Sequence, residues 1–184
     1  MRHARRILIV LMLLTLVSAA WAKRRDPLTE TEADQLREAA LEPQKRLMLL
    51  IKFTSARLDA IEQLRADPKE ADGRGAKIHD LLEDFTALLD ELNDNLDQYQ
   101  GRPLDKDERT DFRKGLKAVI SAGDQFDVKL KTLRAEAQSS PQTRKELPDF
   151  QFVLQDAQEA LKSTLDMAKE YLSDKDADPP KKKP

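Results

Sequence analysis

Cysteine is absent from this 184-residue chain. That excludes disulfides, thiolate nucleophiles and sulfur-ligated metals, so the fold must be held by its core alone. Histidine is nearly absent: His3 and His79 are the two present. Ser/His/Asp chemistry would rest on His79, and the paired Glu-x-x-His elements of a carboxylate-bridged metal bundle cannot be assembled. Aromatic residues make up 5% of the chain and there are five glycines. No Gly-rich phosphate loop occurs, and no stretch beyond residue 22 alternates apolar with polar residues, so no sheet is expected. The segment "NDNLDQYQG" at Asn93 to Gly101 lacks the Asp spacing and distant Glu of a calcium loop. No catalytic set, metal or cofactor is therefore expected.

What is present begins with "MRHARR", a basic start, followed by "ILIVLMLLTLV" and then "SAAWA". A positive start, an apolar run and a small-x-small site at Ala20-Trp21-Ala22 form the three-part pattern of a secretory signal, cut after Ala22. The run is shorter than the roughly 20 residues of a membrane span. An uncleaved anchor is the alternative, since Lys23-Arg24-Arg25 directly after the cut opposes export. A periplasmic or secreted location follows. Arg2, Arg5 and Arg6 leave with the leader and no acidic residue does, so the remainder is acidic and carries no footprint for nucleic acid.

Charged residues make up 36% of the chain, and Leu, Ala, Glu, Lys, Asp and Gln dominate it. The first helical region opens at "PLTETEADQLREAAL", where Thr29 or Thr31 can cap it. Its apolar register, Leu36, Ala40, Leu47, Leu50, Ile51, Thr54, Leu58 and Ile61, continues through Pro43. That favours one helix kinked at Pro43 over a new helix starting there. "PKEADGRG" is a loop. A second helix spans about Ala76 to Tyr99, with Ile78, Leu82, Phe85, Leu89, Leu92 and Leu96 inward. After "QGRPLD", Asp105 or Asp107 can cap a third helix running to about Gln138. Its seam of Phe112, Leu116, Val119, Gly123, Phe126, Leu130 and Leu133 has the alternating spacing of shallow-angle packing. Gly123 in that seam implies a facing large side chain or a close approach of helices. A fourth helix follows "SSPQ" and runs to about Leu172, its start disturbed by Pro148.

These elements predict an all-α fold, an antiparallel four-helix up-down bundle over residues 23–173. Residues 174–184, "DKDADPPKKKP", read as a disordered polar tail rich in Pro and Lys. The second helix is acidic, with Asp80, Glu83, Asp90, Asp94 and Asp97, and the third is basic, with Arg113, Lys117, Lys131 and Arg134. That contrast favours placing the two as neighbours. A shift of about 69 residues lays Leu47, Ile51, Leu92 and Leu96 on Leu116, Ile120, Leu161 and Leu165. Duplication of a helical hairpin and shared bundle periodicity both give such matches.

The stretch "RLMLLIKF" at Arg46 to Phe53 is apolar nearly all round. On a wheel of about 100° per residue, Leu47, Leu50, Ile51, Thr54, Leu58 and Ile61 form the core face. Leu49, Phe53, Ala56 and Ala60 form a second line on the opposite side. Such a strip binds a partner, touches a membrane, or is covered by the segment before Pro43 or by the tail. Small residues beside large apolar ones suit helix–helix contact, so the expected partner is a protein, including a second copy in a homodimer. The segment "LTETEADQLRE" resembles the opening of the Leu-Thr-x-x-Gln motif of small periplasmic stress chaperones, with Glu32 at the glutamine position and no second copy. That resemblance implies an all-helical, dimeric fold. The sequence is thus read as a non-catalytic interaction module of the bacterial envelope. A holdase-like chaperone or a binder of apolar ligands is the alternative.

Overall fold

The computed structural model describes residues 26–174. The expected leader and residues 175–184 lie outside the described residues. Among the described residues every regular element is helical: α1 (Glu30–Glu38), α2 (Pro43–Ala66), a 3₁₀ turn (Pro68–Glu70), α3 (Arg74–Gly101), α4 (Lys106–Ala137) and α5 (Pro141–Ser173). None of these helices is long and apolar enough to cross a membrane.

The starts are set by local chemistry. The Thr29 hydroxyl accepts from the Glu32 N–H at 3.2 Å, and the Glu32 carboxylate accepts from the Thr29 N–H at 2.8 Å. This reciprocal pair satisfies donors that a helix start leaves open. Asp105 with Glu108 does the same for α4, and Ser140 with Thr143 for α5. α3 starts differently, from Gly73 at φ +65°, a left-handed conformation natural to glycine.

The kinked first helix is not found. α1 stops at Glu38, and Pro43 opens α2 as its first residue after Glu42. At that position the missing proline N–H costs no intrahelical bond, whereas inside a continuous helix the ring would meet the carbonyl of Ala39. α5, by contrast, starts at Pro141 and runs on through Pro148.

Each of the four long helices packs against two others: α2 on α3 and α4, α5 on α3 and α4. Within a hairpin the directions oppose. Arg46 near the start of α2 meets Glu91 late in α3 at 3.0 Å, and Arg113 early in α4 donates to the carbonyl of Leu172 at 3.1 Å. Between hairpins they agree. Lys129 of α4 reaches Asp59 of α2 at 2.7 Å, and Arg74 and Glu146, at the starts of α3 and α5, pair at 2.8 Å. The helices that follow one another in each hairpin are antiparallel, compatible with the up-down course expected from the sequence, while α2–α4 and α3–α5 are parallel. The acidic α3 and basic α4 do not lie side by side, although a short loop joins them; they meet across the core, Phe85 on Phe126 and Tyr99 on Phe112. Apolar packing decided that arrangement, because exposed ion pairs contribute at most about 1 kcal/mol each.

The apolar seams read from the sequence are inside. Ile78, Leu82, Phe85, Leu92 and Leu96 of α3 and Phe112, Leu116, Phe126 and Leu130 of α4 are all buried. Two glycines let α4 come close to both neighbours. A Cβ on Gly115 would stand 2.6 Å from Leu47 Cδ1, and one on Gly123 2.5 Å from Leu165 Cδ2. The buried residues fall into two clusters. One surrounds Phe85, Phe126 and Phe150. The other surrounds Leu50, Leu92 and Phe112 and includes Leu36 of α1.

Candidate interaction surfaces

The strip Leu49, Phe53, Ala56 and Ala60 does not form one open surface. Phe53 is buried, with 3% of its surface exposed, in the cluster that contains Leu36 and has Leu28 packed against it. Leu49 and Ala60 are half-buried and Ala56 is exposed. The segment before Pro43 lies over the middle of the strip.

Two arginines hold that segment down. Arg57, one turn beyond Phe53, donates to both carboxylate oxygens of Glu32 at 2.6 and 2.7 Å and to the carbonyl of Pro27. The two side chains are 11% and 14% exposed. This bidentate bond holds the Glu32 carboxyl at about 2, against an opposing push from burial. The Arg57 pKa is raised by the same bond. Arg46 donates to the carbonyl of Leu36 at 2.6 Å, to Glu91 at 3.0 Å and to Asn95, tying the end of α1 to α3. The sequence carries a sign of this: on the wheel Arg46 and Arg57 fall beside Phe53, between the strip and the core face.

Below the reach of α1 the back of α2 is open. A groove of about 640 Å³ runs between the start of α2 and the start of α4. Its apolar part is Leu41, Pro43, Met48 and Leu49; Lys45 and Lys52 stand on one flank and Asp107 and Asp111 on the other. Leu41 is 80% exposed and Met48 50%. Asp105 and Glu108, which also line the groove, are engaged in the α4 cap. Among the described residues the lining holds no histidine, serine, threonine or tyrosine. It offers apolar contact with charged edges, without a nucleophile–base pair.

A second depression, of about 550 Å³, lies between α4 and α5, with Lys131, Arg134, Lys162 and Lys169 around Leu161 and Leu165. Three further shifted groups are pins between helices, while burial is the main cause that raises the Tyr99 pKa. The Tyr171 hydroxyl donates to Asp97 of α3, and this bond pushes its pKa up to about 12. Burial pulls the Lys129 pKa down, but its bonds to Asp59 and Glu62 outweigh that and raise it. The Arg74 pKa is raised by its bond to Glu146. At the start of α3, His79, Asp80 and Glu83 bring possible ligand atoms within 4.8 Å of one another. Asp80 and Glu83 are exposed, and such acidic groups are ordinarily solvated. Comparison with known protein families, characterised proteins and solved structures returns no match for this chain.

Proposed function

We propose that this chain is an exported four-helix bundle that acts by contact, receiving a protein segment in the groove between the starts of α2 and α4. The packing of α2, α3, α4 and α5, each against two others, supports the bundle. The leader pattern of residues 1–22 supports export. The observation that carries the reading is the groove itself: Leu41 and Met48 stand exposed together on an apolar floor that no described segment covers. An open apolar patch rimmed by polar residues marks a contact site, and an unbranched methionine adapts to varied partners. The fitting segment presents apolar side chains flanked by lysine or arginine on the side facing Asp107 and Asp111. Of the strip read from the sequence, Leu49 remains in this surface.

A photo-crosslinking amino acid at Met48 is expected to give a discrete adduct with an envelope protein, and the same probe at Phe152 is expected to give none. Loss of the adduct on Leu49→Asp, with helical circular dichroism unchanged, ties it to the groove. Equal adducts from both positions would overturn the reading. A ladder of many adducts at Met48 alone would mark a holdase. The volume also lies within the range of small-molecule sites, which favours an apolar ligand as the second reading. Native mass spectrometry of the purified protein would then show one bound species of constant mass.

A further inference from the structure

We propose that copies of this chain associate head to tail, the acidic ridge of α3 on one copy lying in the cationic groove between α4 and α5 of the next. This surface is separate from the α2–α4 groove.

Two features of one molecule are complementary and cannot meet inside it. On α3, Asp80, Glu83, Asp90, Asp94 and Asp97 are exposed and fall within about 100° of the helix circumference. No lysine or arginine occurs from Ile78 to Gly101. The groove is lined by four cations, Lys131, Arg134, Lys162 and Lys169, and two carboxylates, Asp127 and Asp166, an excess of positive charge; Arg134, Lys162 and Lys169 make no ion pair with another described residue, while Lys131 pairs with Asp127 at 2.6 Å. α3 packs on α2 and α5, and α4 on the same two helices, so the acidic and basic helices stand at opposite corners.

The spacing agrees as well. Asp90 to Asp97 and Lys162 to Lys169 are both seven residues, two helical turns or about 10 Å. Ala87 lies on the line of the ridge, leaving room for a close approach, and Leu161 and Leu165 floor the groove. A helix ridge seated in the groove between two helices is an ordinary packing mode. Ridge and groove are different surfaces, so the contact is heterologous and each added copy presents a free ridge and a free groove. The chain as a whole is acidic, with a net charge of −2. Local complementarity therefore works against long-range repulsion, and salt screens what it gains.

The test is sedimentation of the exported protein. Its average mass is expected to rise with concentration, without stopping at two copies, in about 20 mM salt, and to return to that of a monomer in about 500 mM salt. Asp90→Asn with Asp94→Asn removes ridge charge, and Lys162→Gln with Lys169→Gln removes groove charge. Each double variant alone is expected to stay monomeric. Their mixture is expected to form a one-to-one complex and no larger species, because it contains one intact ridge and one intact groove. A monomeric wild type at low salt, a wild-type mass that stops at two copies, association of either variant alone, or no complex in the mixture would each overturn the proposal. Circular dichroism on each variant separates these outcomes from loss of fold.

Discussion

On the back of α2, Phe53 lies under α1 with 3% of its surface exposed; on α5, Phe152 stands in solvent with 72% exposed. Both are phenylalanines on long helices of the same core. The difference lies in what surrounds them. Phe53 has an arginine one turn on, and Arg57 finds Glu32 on a separate short helix. Phe152 also has a charge one turn on, Asp156, but that side chain is exposed and makes no ion pair with another described residue. An apolar side chain on the back of a helix is thus not enough to recruit a lid. Here a paired charge fixes the lid's register, and the apolar burial supplies much of the energy.

The largest effect should come from emptying the covered site. Phe53→Ala is expected to destabilise the protein by about 3 kcal/mol, the usual range for a buried phenylalanine, read as a lower urea midpoint. No change in midpoint would mean that α1 does not seal the site. Arg57→Ala leaves the Glu32 carboxylate facing a mostly buried pocket and is expected to cost about 2 kcal/mol. That loss should be local: amide exchange in Glu30–Glu38 accelerates while the interior of α3 stays protected. Uniform acceleration would show that α1 and the four long helices unfold as one unit.

Acid probes the same clasp more gently. The Glu32 carboxyl sits at about 2 in the folded protein against an ordinary value of 4.5. The unfolded chain therefore takes up its proton first as pH falls. The stabilisation is complete above the ordinary value and is lost as pH falls through about 2, on the order of 2 kcal/mol in all. Glu32→Gln is expected to flatten the decline of stability between about pH 5 and pH 2 by that amount. An unchanged pH profile in the variant would remove the clasp from the account. The smallest effect belongs to the open side. Phe152→Ser is expected to stay within about 0.5 kcal/mol of the parent, and a larger loss would mean that something covers Phe152 in solution.

Long periodic stripes made most of the helices legible. The inward faces of α3 and α4 were readable from Ile78, Phe85 and Leu92 and from Phe112, Val119 and Phe126, and all are buried. Gly123 announced a close contact, and Leu165 supplies it. The pairing of helices was not legible, because a stripe names the face that is buried and not the helix that buries it. The charge contrast between α3 and α4 suggested adjacency, yet apolar contacts placed them apart. The strip on α2 was half legible. Its apolar character was correct, but Phe53 is covered from 17 residues upstream by Leu36, a distance no local period registers. Of the open groove, Leu49 came from the sequence. Leu41 and Met48 did not: Leu41 sits in the break before Pro43 that register continuity argues against, and Met48 falls between the strip and the core face on the wheel.

The parallel pairing of the hairpins has a kinetic consequence. α2–α3 and α4–α5 contacts join neighbours in the chain, whereas Asp59 meets Lys129 and Arg74 meets Glu146 across about 70 positions. Closing a loop of that length is the slow, entropic part of assembly. Each hairpin should therefore form early and the two should dock late. Gly123→Ala, which crowds Leu165 within the second hairpin, would then slow refolding, while Lys129→Met, which cuts a tie between hairpins, would chiefly speed unfolding. Stopped-flow traces with the opposite assignment would mean that docking comes first.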